Sequence, residues 1–173
     1  MAVGVVEVGA AVVIVGYVIG RQVRGEALRG RRVVLLPVVL TVVGFGRLGD
    51  HGRHVAPADI ALLVIGGLLA LGIGAGQGSM MRLESRDGGL WGRMPALGLW
   101  LWGGLIVSRL VLMLVAAGVH AHVAASSAPV LMLLGLNRLG QAGVIAMRAT
   151  ALGIPFAAER DGRPFLADRR SRG

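Results

Sequence analysis

The chain has 173 residues, 55% of them hydrophobic, and a mean hydropathy of +0.74. Its apolar residues come in long unbroken runs, which excludes an ordinary soluble core and a disordered chain. The net charge of +9 rests on arginine alone, since there is no lysine, and the lack of cysteine excludes thiol–disulfide chemistry, a cysteine-held iron–sulfur cluster and a covalent haem link.

The first run, residues 3–20, holds a single charge, Glu7. Its positive charges follow the apolar stretch, whereas a signal peptide has them in front. It reads as an anchor inserted with its N-terminus outside. The loop behind it carries Arg21, Arg24, Arg29, Arg31 and Arg32. The second run, 33–46, is uncharged but short, and Pro37, Thr41, Gly44 and Gly46 weaken it. The third, 60–76, is uncharged and leads into a loop with Arg82, Arg86 and Arg93. The fourth, 96–119, contains only Arg109, and the fifth, 128–147, only Arg138. Residues from about 150 onward mix both charges with Pro155, Gly162 and Pro164, the composition of a flexible extension.

A bilayer span needs about 20 mostly apolar residues, so the second run is the doubtful one. Arginine placement decides it, because short basic loops stay in the cytoplasm. With five spans and the N-terminus outside, fourteen loop and tail arginines lie inside; two, Arg47 and Arg53, lie outside. Without the second crossing the same arginines split seven against nine. The expected architecture is an all-α bundle of five transmembrane helices in a bacterial cytoplasmic membrane. Its spans lie at about 3–20, 32–48, 59–77, 96–118 and 127–147. A membrane domain of 1–149 precedes a basic cytoplasmic tail of 150–173. Arginines at the inner face set topology and meet anionic lipid heads; in a soluble protein the same charge would point to nucleic acid.

Pairs of small residues four apart let helices approach closely: Gly16 and Gly20, Gly72 and Gly76, Gly74 and Gly78, Gly104 and Ser108. Packing within the bundle is the favoured reading, a homo-oligomer face the alternative. Trp91, Trp100 and Trp102 flank the inner end of the fourth span, where indoles anchor to headgroups, with Trp102 placed to pack deeper.

Charges inside a membrane are costly and mark internal pairs, wet cavities or ligands. Glu7 and Arg109 both fall in the outer half, so an ion pair between them is possible; Asp59 is a rival partner. Arg138 has no carboxylate at its level. Asn137 and Gln141, four apart, share a helix face with Arg138 on its flank, which predicts a polar patch facing the interior. Arg138 is then either satisfied by carbonyls, water and these amides, or part of a positive pocket. Glu7, Arg109, Asn137, Arg138 and Gln141 are the candidate ligand-binding residues. His51 and His54, with His120 and His122, are candidate metal or haem ligands at the outer face, although polar loop histidines are the favoured account. No Walker-type loop, nucleophile elbow or paired catalytic carboxylates occur in the sequence.

Several segments carry a resemblance. Arg21 and Arg24-Gly25-Glu26 are followed by Leu28-Arg29-Gly30-Arg31-Arg32 and Val33-Val34-Leu35-Leu36-Pro37. Later come Gly76-Gln77-Gly78, Met81-Arg82-Leu83, Asp87-Gly88-Gly89-Leu90-Trp91-Gly92-Arg93, Leu99-Trp100 and Arg109. Together, over roughly residues 10 to 150, the chain resembles the CcdC-like family of small polytopic bacterial membrane proteins in its actinobacterial form. It departs from that pattern at Gln77, where arginine is expected, and at Arg138. The family takes its name from an association with cytochrome c maturation genes, so the resemblance implies an accessory membrane role. Two classes of function follow. One is a non-enzymatic accessory or scaffold protein, without a cofactor, acting on a membrane protein partner. The other is a small transporter or binding protein for an anionic or amphiphilic ligand.

Overall fold

The computed structural model describes residues 20, 25–49, 56–86, 88–95, 98–126 and 129–157. The first run with Glu7, the loop histidines His51 and His54, and the chain beyond 157 lie outside the described residues. Four long helices dominate: α1 (Gly30–Gly49), α2 (Pro57–Met80), α3 (Leu99–Gly118) and α5 (Pro129–Leu152), with a single turn, α4 (His122–Ala125), before the last. Each coincides with an apolar run of the sequence. Three are long and apolar enough to cross a membrane: α2, α3 from Trp100 onward, and α5. The 20 residues of α1 have a length of about 30 Å at 1.5 Å per residue, with Arg31, Arg32 and Arg47 near its ends. Pro37 lies inside α1, and the hydroxyl of Thr41 donates to the Pro37 carbonyl at 2.8 Å. Membrane helices tolerate such a proline when neighbours complete the backbone bonding.

The exterior is apolar and the interior small, the reverse of a soluble protein. Leu36, Val42, Leu68 and Leu114 stand outward, Leu68 being 65% and Leu114 70% exposed. Inside lie Ala70, Ala116, Ala124, Ala142 and Ala149 with a few larger residues such as Met132 and Leu133. Lipid tails are as apolar as leucine, so burying leucine drives little association there; small residues that admit close backbone contact do more.

Glycine sets the helix order. Gly66, Ala70, Gly74 and Gly78 recur every fourth residue and form a ridge along α2. A Cβ on Gly74 would collide with the Asn137 carbonyl, and one on Gly78 would stand 2.7 Å from the Gln141 carbonyl oxygen. From the other side, a Cβ on Gly140 would strike the Leu71 carbonyl. α2 and α5 therefore run parallel, backbone against backbone. α1 crosses the other flank of α5, where Gly44 abuts the Met132 backbone and Gly135 abuts Thr41. α3 joins the outer side of α2, with Leu101 against Gly76. Of the small-residue pairs in the sequence, Gly74 and Gly78 belong to the seam. A Cβ added to Gly72 or to Gly104 would meet nothing within 4 Å.

One finding corrects the all-α expectation. The segment between α2 and α3 is a β-hairpin, β2 (Arg82–Arg86) and β3 (Gly89–Arg93), and β1 (Glu26–Ala27) pairs antiparallel to β3, giving the order β1-β3-β2. Arg86 pairs with Gly89 across the two-residue connection Asp87-Gly88, and Gly88 has φ +73°. That is the Asp-Gly signal of a tight hairpin. The expected tail also begins differently. α5 runs to Leu152 and stops at Gly153, where φ is +66°. Gly153 N–H donates to the Thr150 carbonyl, and Ile154 N–H to the Ala149 carbonyl, a Schellman stop. The chain then returns to the sheet: Leu90 N–H donates to the Pro155 carbonyl at 2.9 Å and Ala157 N–H to the Leu28 carbonyl at 3.0 Å. Leu28, Met81, Leu90, Ile145 and Ala149 pack beneath, with Ile154 and Phe156 beside them. The sheet thus gathers the start of α1, the end of α2, the approach to α3 and the end of α5 at one end of the bundle. All four long helices alternate in direction along the chain.

Substitutions in and out of the α2–α5 seam have opposite expected outcomes. Gly74→Leu drives a side chain into backbone and costs about 1–3 kcal/mol or more by overpacking, whereas Gly104→Leu has open space. Thermal unfolding in nanodiscs distinguishes them: the first variant melts markedly lower, the second melts like the parent.

Candidate functional site

Polar groups collect at three levels of this apolar bundle. At the end opposite the sheet, Asp59 lies in the first turn of α2 and is 2% exposed. Its Oδ2 accepts the Ala56 N–H at 3.1 Å, closing the helix start. Its Oδ1 accepts the Ala124 N–H of α4 at 2.8 Å. Arg109, on α3, reaches the same turn from the other side: Nη1 donates to the Ala124 carbonyl at 3.0 Å and Nη2 to the Ser126 carbonyl. The sequence offers Glu7 or Asp59 as an ion-pair partner for Arg109. Among the described residues Asp59 and Arg109 make no direct pair; each grips one side of the same peptide segment, acid on N–H and arginine on C=O. Glu7 lies outside the described residues. The chain around α4 breaks regular helical bonding, and its backbone groups need such partners.

At mid-bundle, Asn137 and Gln141 are buried against α2, as their shared face predicts. Asn137 Nδ2 donates to the Ala70 carbonyl at 3.1 Å. Gly74, four residues on, leaves that carbonyl uncovered. Arg138 stands on the flank, half-buried. Its Nη1 donates to Gln141 Oε1 at 2.9 Å, and its guanidinium lies 5.1 Å from the centroid of the Trp102 ring. A cation over an indole face is attracted by the ring quadrupole. Trp102 is buried, as its place in the fourth run predicts, while Trp100 is exposed. Gln77 of α2 is fully buried in the same region. In the sequence it stands out only as a departure from a family pattern. A lone amide in an otherwise apolar run is the signal that could have found it.

At the sheet end, Arg148 of α5 has a role that its position in the sequence does not reveal. In sequence it reads as a topology arginine of the tail. Its Nη1 lies 2.8 Å from each of the carbonyl oxygens of Gly78, Ser79 and Met81, which end α2. A helix leaves its last carbonyls unpaired and carries negative partial charge there, so a guanidinium is a fitting cap. On the outer face of the sheet Arg86 stands over Trp91 at 5.3 Å and lies 3.6 Å from Glu84, and the side chains of this ion pair are well exposed.

His120 and His122 are exposed, with ring centroids 6.4 Å apart. His120 occupies the left-handed stop of α3 at φ 55°, a place glycine fills more readily. Among the described residues no group of three histidine, cysteine or acidic side chains could hold a metal. His51 and His54 lie outside them.

Comparison with family models, with curated proteins and with solved structures finds no match to this chain.

Asp59→Ala and Arg109→Met each strand backbone groups and cost about 1–3 kcal/mol. Because both side chains hold Ala124, the double variant loses less than the sum of the singles in nanodisc unfolding. His120→Gly relieves the left-handed strain and raises stability by about 1 kcal/mol; a lower melting temperature would mean that the imidazole holds something the backbone does not.

Proposed function

We propose that this chain is a five-span protein of a bacterial cytoplasmic membrane, N-terminus outside and C-terminus inside, acting as a non-enzymatic accessory or scaffold for a membrane protein partner. The four long helices alternate between two ends, and charge divides between those ends. Arg29, Arg31, Arg32, Arg82, Arg86, Arg93 and Arg148 lie at the sheet end; Arg47 lies at the other. The bias toward cytoplasmic arginine supports a cytoplasmic sheet, close to anionic lipid heads. Residues 3–20 supply the fifth span in this reading.

The observation that carries the accessory role is the engagement of the two intramembrane arginines. A receptor for an anion would keep Arg109 and Arg138 open to it. Arg109 instead holds the α4 turn through two carbonyls, and Arg138 rests on Gln141 and Trp102. The resemblance to the CcdC-like family, read from the sequence segments alone, points the same way. A second reading, a small binding or transport protein, is favoured by the unpartnered amide atoms of Gln77, Asn137 and Gln141.

Topology is testable because the chain has no cysteine of its own. In intact cells a membrane-impermeant maleimide labels His122→Cys and leaves Ser85→Cys unlabelled until the membrane is opened; the opposite pattern contradicts the orientation. Native mass spectrometry of protein purified in nanodiscs tests the role. A stoichiometric partner protein supports the accessory reading. A retained anionic small molecule, lost in Arg138→Gln, contradicts it.

A further inference from the structure

Among the described residues, four buried side-chain atoms in the α2–α5 seam have no hydrogen-bond partner: Nε2 and Oε1 of Gln77, Oδ1 of Asn137 and Nε2 of Gln141. Gln77 and Asn137 are completely buried, and Gln141 is 4% exposed. They belong to one short stretch. Gly74 lies against Asn137 and Gly78 against Gln141. Gln77 is on the same face of α2, three residues beyond Gly74. A buried amide without a partner is costly, and surrounding hydrocarbon offers no substitute. The rest of the seam is glycine and apolar side chains, Ala70, Met132, Leu133 and Val144 among them, so these amides are not incidental to a polar interior.

We propose that Gln77, Asn137 and Gln141 form an internal site for a small uncharged guest that both donates and accepts hydrogen bonds, water being the smallest such guest. The orphaned atoms define the class. Two amide nitrogens donate and two carbonyl oxygens accept. An anion would face the oxygens of Gln77 and Asn137; a cation would face the nitrogens of Gln77 and Gln141. A neutral guest that donates and accepts answers both kinds of orphan atom. A buried water typically makes roughly three hydrogen bonds, which suits this set.

Arg138 is a positioning residue for the site. By donating to Gln141 Oε1 it fixes which end of that amide is engaged and leaves Nε2 for the guest. Its charge is directed at Gln141 and Trp102, on the flank of the site. This separates the site from an anion pocket built on the arginines.

Water-to-amide transfer measured by solid-state NMR, on protein labelled with ¹⁵N at glutamine and asparagine in nanodiscs, tests the proposal. The Gln77 and Gln141 side-chain NH₂ resonances receive magnetisation from water, and Gln77→Met abolishes the transfer at Gln141 and lowers the melting temperature. If the guest is larger than water, native mass spectrometry shows a neutral stoichiometric adduct instead, lost in Gln77→Met. Arg138→Gln weakens the transfer at Gln141 while that at Gln77 persists. Dry amides without an adduct, together with a Gln77→Met variant as stable as the parent, overturn the proposal. An anionic adduct at the site does so as well. Dry amides leave the accessory role standing, because that role depends on a protein partner.

Discussion

The close approach of α2 to α5 is the contact from which the rest of this molecule follows. In a bilayer, moving leucine from lipid into a helix interface gains little, so the helices must gain from contact of backbone with backbone. The ridge Gly66, Ala70, Gly74 and Gly78, with Gly140 opposite, removes the side chains that would keep them apart. Once α5 is held there, its other flank receives α1 through Gly44 and Gly135, and the outer side of α2 receives α3. The same absence of side chains uncovers the Ala70 carbonyl for Asn137. Polar and small residues therefore serve one purpose in the seam, and large apolar residues are left for lipid.

The two ends of the bundle meet a different constraint. There the chain must turn, and its freed N–H and C=O groups require partners. At one end Asp59 and Arg109 supply them to a single turn of helix. At the other, a three-stranded sheet and the returning segment 154–157 bond to each other, and Arg148 caps the last carbonyls of α2. Asp59, Arg109 and Arg148 are thus explained by backbone bonding.

How much of this is legible in the chain depends on the range of the interaction concerned. The long helices are visible because each is a local run of apolar residues, and the Asn137–Gln141 face because a helix brings fourth neighbours together. Gly74 and Gly78 stand out by spacing, but Gly72 and Gly76 have the same spacing; only the position of α5 tells them apart. The hairpin carries a local signal, Asp87-Gly88, that a search for spans passes over. The partners of Arg109 and Arg148 are not legible. An arginine suggests a carboxylate, whereas these bind carbonyls that exist at every residue and leave no mark in sequence. Gln77 is a middle case: its polarity is plain, but its burial depends on α5.

The α2–α5 seam departs from small and apolar residues in one polar layer, Gln77, Asn137 and Gln141. That layer exists only where α2 and α5 lie parallel in one register. Disulfide crosslinking, with membrane-permeant copper phenanthroline as the oxidant that takes two electrons and two protons from the thiol pair, tests this most directly, given the cysteine-free background. A Cβ at Gly67 would stand 3.1 Å from the Leu136 side chain. Gly67→Cys paired with Leu136→Cys therefore crosslinks rapidly in membranes, while Gly67→Cys paired with Met147→Cys, about three helical turns away along α5, does not. Crosslinking of the second pair in preference to the first would contradict the register, and with it the account of the seam.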